Sequence, residues 1–195
     1  MPDKQELLEN LKKEMSLNDT IPLKENATNL VLGKGSPNAD IMFVGEAPGK
    51  NEDLQGIPFV GAAGKNLDSL LEKVGLTIND VYIANILKYR PPNNRNPNKK
   101  EIVQHTPFLI KQIEIINPKI IVPLGNYATK FVLGGFEFNN NIPSISTIHG
   151  KKHNISINKK EYVVIPLYHP AATMYNNSLL SVVKKDFQEI KKVLH

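Results

Sequence analysis

The sequence predicts an α/β protein, a three-layer α/β/α sandwich on a central four-stranded, mainly parallel sheet. Three observations predict it. Four short segments rich in Ile and Val are apolar on both faces, as strands covered by helices on either side must be. Between them lie segments whose apolar residues recur at helical spacing. The two kinds alternate along the chain, which requires parallel strands joined by right-handed crossovers.

Taken in order, a helix near Lys4–Met15 comes first, followed by a strand over Asp40–Val44. That strand runs into Gly45-Glu46-Ala47-Pro48-Gly49, which cannot be helix: Pro48 lacks an amide hydrogen and both glycines can take positive φ. A second glycine-bracketed segment, Gly56-Ile57-Pro58-Phe59-Val60-Gly61, delivers an aromatic just before a helix that starts near Ala62. Over Gly64–Val74 that helix carries Leu67, Leu70, Leu71 and Val74 on one face and stops at Gly75. A strand over Val81–Ile86 precedes the helix Lys99–Ile116, whose apolar positions include Ile102, Phe108, Leu109, Ile113 and Ile116. Next come a strand at Lys119–Pro123 and a shorter helix, Asn126–Leu133, closed by Gly134-Gly135. The span Gly134–Glu161 breaks the rhythm and reads as loops or a peripheral hairpin. A strand over Tyr162–Leu167 and an amphipathic helix over Ser178–Leu194 complete the pattern.

A chain of 195 residues, 41% hydrophobic and 22% charged, fits one globular domain spanning 1–195. No apolar run reaches the length of a membrane span, and the first residues lack the apolar core of a signal peptide. An intracellular, cytoplasmic monomer away from membranes is expected. The net charge of +5 permits nucleic-acid binding without demonstrating it. Cysteine is absent, which excludes disulfides, thiolate nucleophiles and thiolate-held metal clusters. His149 and His153 stand four apart, but Gly150 and the two lysines between them suggest a loop, so neither a metal nor a cofactor is expected.

Open parallel sheets bind ligands beyond the carboxyl ends of their strands. Glu46 follows the first strand, Asn85 ends the second, Gly125 follows the third and His169 follows the fourth. An acid, an amide and an imidazole are thereby delivered to one edge. Asn85 can donate and accept at once, which suits the reading of a nucleobase edge. Beyond it, Lys88, Arg90 and Arg95 stand in a proline-stiffened loop and are candidates for phosphate contacts, with a solvated basic turn as the plainer alternative. His169 is locked by Pro170 directly after a strand, a poor place for a core histidine. Met174 and Tyr175 follow as candidates for a wedge between base steps.

Together these segments resemble the uracil-DNA glycosylase superfamily, and most closely its family 4. The matching pieces are Gly45-Glu46-Ala47-Pro48-Gly49, Glu52-Asp53, Gly56-x-Pro58-Phe59-Val60-Gly61-x-Ala63-Gly64, Lys88-x-Arg90-Pro91-Pro92-x-Asn94-Arg95-x-Pro97 and His169-Pro170-Ala171-Ala172. The resemblance implies a monofunctional DNA glycosylase that hydrolyses the N-glycosidic bond of uracil in DNA and so initiates base excision repair. It implies that Phe59 stacks on the flipped base, that Asn85 reads its edge, and that His169 donates to O2 with help from an amide near Gly45. Glu52 is then expected to exclude a 5-methyl group, Asp53 to act as a structural cap or auxiliary contact, and Glu46 to position water. Lys151 and Lys152 join the phosphate contacts. Excision of another deaminated base, hypoxanthine or xanthine, and DNA binding without catalysis are the alternatives.

One departure is large. The resemblance implies four cysteines holding an iron–sulfur cluster, and here those positions fall at Asn18, Ile21, Tyr89 and His105. The cluster is therefore expected to be absent, with Ile21, Tyr89 and apolar neighbours packing in its place. The segment 1–29, which the cluster would dock in relatives, is left to its own helix.

Overall fold

Six strands form one sheet in a computed structural model that describes residues 3–176 and 178–194, omitting the side chain of Tyr175. They are β1 (Lys34–Gly35), β2 (Ile41–Gly45), β3 (Val81–Asn85), β4 (Ile120–Pro123), β5 (His153–Ile157) and β6 (Lys160–Val164). Their spatial order is β1-β3-β2-β4-β6-β5. The inner strands β3, β2, β4 and β6 run parallel, as the sequence predicts. The sheet is wider than expected, because β1 joins β3 and β5 joins β6, each antiparallel. Two residues of β1 carry no pattern that sequence reading can detect. β5 falls in the span read as loops or a hairpin, and the hairpin is what forms, turning through Asn158 and Lys159 at positive φ.

The helices are α1 (Lys4–Leu17), α2 (Lys50–Gln55), α3 (Ala62–Lys73), α4 (Lys99–Ile116), α5 (Gly125–Leu133), α6 (Ile145–Ile148), α7 (Pro170–Tyr175) and α8 (Ser178–Leu194). The long ones match the expected segments to within two residues at each end. α2, α6 and α7 are too short to show a hydrophobic period, and sequence reading misses them.

Strand side chains alternate between two cores, as the pleat dictates. Met42, Val44, Tyr82, Ala84 and Ile121 face a core shared with α1, α4 and α5. Ile41, Phe43, Val81, Ile83, Ile120 and Val122 face the other, shared with α3 and α8. The result is the three-layer sandwich. None of the described helices is long and apolar enough to cross a membrane.

Register then fixes the functional edge. β2 and β3 end side by side with Gly45 paired to Asn85. Beyond β4 and β6 the chain continues as a parallel bridge between Leu124 and Leu167, one residue short of Gly125 and two short of His169. The four chain segments singled out in the sequence therefore emerge along one edge of the sheet.

Candidate active site

Asn85 and Phe59 meet across Gly45. A Cβ built on Gly45 would overlap Asn85 Oδ1 and lie 2.8 Å from the Phe59 ring, so only glycine leaves room between them. Asn85 is 2% exposed, and its Oδ1 has no hydrogen-bond partner among the described residues. Burying an amide oxygen without a partner costs on the order of 1–3 kcal/mol. This acceptor at a strand end, beside an aromatic face, has its lone pairs open to an incoming donor.

Phe59 itself is held in a conformation that bulky residues avoid, with φ of 52°. Three contacts over-determine it. Glu52 Oε1 accepts the amides of Val60 and Gly61 at 2.9 and 2.8 Å. Lys34 Nζ donates to the Phe59 carbonyl at 2.9 Å. Gly64, in the first turn of α3, lets the helix lie directly against that carbonyl, where any Cβ would collide. Local strain of this kind persists where the surroundings impose it, and it clusters at functional sites. Glu52, expected from the sequence to exclude a 5-methyl group, thus also braces the Phe59 loop through Oε1. Asp53 is buried and accepts the amides of Thr28 and Asn29 at 2.8 and 3.2 Å, tying α2 to the N-terminal segment.

His169 lies with its ring centroid 6.1 Å from that of Phe59. Its Nδ1 accepts the Ala171 amide at 3.2 Å, which leaves the proton of the neutral ring on Nε2. Burial holds its pKa below the ordinary 6.5, so the ring is a neutral N–H donor at neutral pH. Asn66 of α3 fixes the segment behind it, donating to Pro170 O at 2.6 Å and bonding Thr173 Oγ1. Glu46 and His169 both line an open cavity of about 450 Å³, together with Gly125, Tyr127, Lys130 and Phe138. Burial raises the Glu46 carboxyl above its usual 4.5. Asn85 and Phe59 do not line that cavity; they stay packed against Gly45.

The basic loop is reassigned in part. Lys88 is fully buried and its Nζ donates to Asn85 O at 2.6 Å, so it cannot reach a phosphate. Sequence reading fails here because a lysine directly after a strand looks like a loop residue, while the chain runs inward for four more residues. Arg95 is engaged with Glu101, donating through Nη1 at 2.9 Å and through Nη2. Glu101 also forms the capping box that starts α4, exchanging hydrogen bonds with Asn98. Arg90 is half-buried, with Nε on Asn94 Oδ1 at 2.8 Å, and Lys151 and Lys152 are exposed. Met174 is 44% exposed on α7, whereas the Tyr175 side chain lies outside the described residues.

A sequence profile of the Uracil DNA glycosylase superfamily matches residues 32–195. The chain belongs to this superfamily. Similar proteins include a type-4 uracil-DNA glycosylase of Sulfurisphaera tokodaii, 45% identical over 95% of this chain and 84% of that protein. Others of the same type come from Archaeoglobus fulgidus, 42% identical over 95% of this chain and 92% of the relative, and Thermotoga maritima, 40% identical over 100% and 98%.

Within this glycosylase fold the four positions implied for cluster ligands do not fit a cluster. Asn18, Ile21, Tyr89 and His105 supply no thiolate, and both nitrogens of His105 are already occupied. Its Nδ1 accepts the Lys88 amide at 2.9 Å, and its Nε2 donates to Pro22 O at 3.1 Å. The Tyr89 ring meets the imidazole edge-on at 6.1 Å, and Ile21 and Tyr89 are buried in the same apolar core. A buried histidine thus joins the N-terminal segment to the loop after β3. The braces Lys34 and Asn66, and Tyr127 and Lys130 on the cavity wall, escape sequence reading because nothing local distinguishes them from other exposed helix and strand-edge residues.

Proposed function

We propose that this chain is a monofunctional glycosylase that removes uracil from DNA by hydrolysing the bond between the base and its deoxyribose. The observation that carries the reading is the unpartnered, buried Oδ1 of Asn85 beside the Phe59 ring. Uracil presents N3–H to that oxygen and O4 to the amide nitrogen. Cytosine presents the opposite pattern and leaves two buried groups facing like partners, which is costly.

The target base leaves the stack and enters the pocket. As the C1′–N1 bond breaks, its electron pair passes into the uracil ring and charge collects on O2. His169 Nε2–H stabilises that charge as a preorganised donor. Water adds to C1′, and its proton passes to Glu46, whose raised pKa makes it a better acceptor than an ordinary carboxylate. Uracil leaves as its N1 anion and takes a proton from solvent, Glu46 returns its proton to solvent, and the products are free uracil and an abasic site.

The test is cleavage of labelled single-stranded, U·G and U·A oligonucleotides followed by alkali, with hypoxanthine-containing strands alongside. Breaks at uracil that vanish in His169→Ala uphold the proposal. Uracil left intact while hypoxanthine is removed, or DNA bound with every base left in place, overturns it.

A further inference from the structure

A second concavity of about 560 Å³ opens beside the first, and the two share Asn96, Tyr127 and Phe138. Tyr127 and Phe138 form the ridge between them, their rings 4.7 Å apart and 33° from parallel. Tyr127 is fixed by its hydroxyl, which donates to Pro97 O at 3.2 Å. Phe138 keeps 40% of its surface exposed, and Val103 on the groove wall keeps 59%. Lys130 Nζ sits 5.9 Å from the Phe138 ring centroid, and Lys99 lines the groove itself.

We infer that this groove receives a base flanking the target uracil on the same strand, stacked on the Phe138 face. The inference rests on the glycosylase reading, since it extends the path of the strand that enters the first cavity. Continuity carries it: a strand whose nucleotide occupies the cavity with Glu46 and His169 must leave across a rim, and this rim holds an exposed aromatic on a rigid support. Charge agrees. Lys130 on the wall of the first cavity suits a phosphate at the edge, while Lys99 and Glu137 offset each other within the groove, so the base enters and the backbone stays out. Aromatic stacking binds any base and supplies affinity without sequence choice.

The experiment compares wild type, Phe138→Ala, Phe138→Leu and Phe138→Tyr on two single-stranded substrates, one fully based and one whose uracil is flanked by abasic spacers. Phe138→Ala and Phe138→Leu are expected to raise KM on the first roughly tenfold, as removal of one stack does, with kcat kept. On the spacer substrate, which offers no flanking base to stack, the same two variants should lose several-fold less relative to wild type, and Phe138→Tyr, which keeps the ring, should lose less than either on the first substrate. Equal effects on both substrates, or none, overturn the inference. A wild type that leaves uracil in place defeats the glycosylase reading instead. In that case, 2-aminopurine beside the uracil still decides the groove: quenching on binding that disappears in Phe138→Ala supports it, and quenching that survives overturns it.

Discussion

Lys88 Nζ donates to the main-chain carbonyl of Asn85 at 2.6 Å from a side chain with no solvent exposure. The residue that closes the strand is thus gripped from behind by a buried amine. Burial pushes the Lys88 pKa down from 10.5 to about 7.

Folding therefore opposes the charged form of Lys88. Between about pH 7 and 10.5 the unfolded chain holds a proton that the folded one has released, so wild-type stability rises with pH there. Relative to Lys88→Met, wild type should gain stability across that window and hold a constant difference below it. Urea unfolding of both proteins at several pH values checks this; parallel curves would contradict the burial.

His169→Ala should lower kcat by roughly 10²–10³-fold, as loss of one preorganised donor does. Glu46→Gln should cost less than the roughly hundredfold typical of a positioned general base, because a well-stabilised leaving anion demands little of the water. Single-turnover rates decide it, and the reverse order would contradict the assignment. In wild type the acid limb of kcat/KM should lie above the ordinary carboxylate value of 4.5, and Glu46→Gln should remove it.

Gly45→Ala places a methyl group against Asn85 Oδ1 and the Phe59 ring. A displacement near 1 Å at a reacting site costs roughly hundredfold, and kcat/KM for uracil should fall by about that much. A fold that stays intact by circular dichroism assigns the loss to the pocket.

Arg95 is committed to Glu101, so Arg95→Ala should lower the melting temperature by loosening the start of α4. The salt dependence of DNA affinity should not change. Removing a side chain that neutralises one phosphate of duplex DNA reduces the slope of log K against log salt by about 0.9, and a drop of that size would return Arg95 to the interface.

Burial pushes the His105 pKa down from 6.5 to about 4. The unfolded chain takes up a proton first as pH falls, so stability present above pH 6.5 is lost progressively toward pH 4. His105→Leu should flatten that part of the profile, measured by thermal unfolding, at the cost of lower stability at neutral pH.

The edge of the sheet is legible in the sequence because strand ends are marked by sharp changes in residue type: Gly45, Asn85, Gly125 and His169 each follow an apolar run. Phe59 and His169 are legible because prolines and glycines announce turns. What escapes is direction. Nothing in Lys88-Tyr89-Arg90 says that the first residue points inward, since that depends on the chain continuing past the end of β3 into the α4 core. Nor can spacing show that Glu52 serves its own loop, because the amides of Val60 and Gly61 reach it only when the chain folds back. The groove beside Phe138 lies in the irregular span after α5, where periodicity is silent.

The joint made by His105 changes what this protein depends on. An iron–sulfur centre must be assembled, delivered and protected before the polypeptide that holds it is useful. An imidazole bridging Lys88 and Pro22 is complete as soon as the chain has folded. The joint itself needs no delivery system and no iron, and it stands when oxidants that dismantle clusters are also the agents damaging DNA.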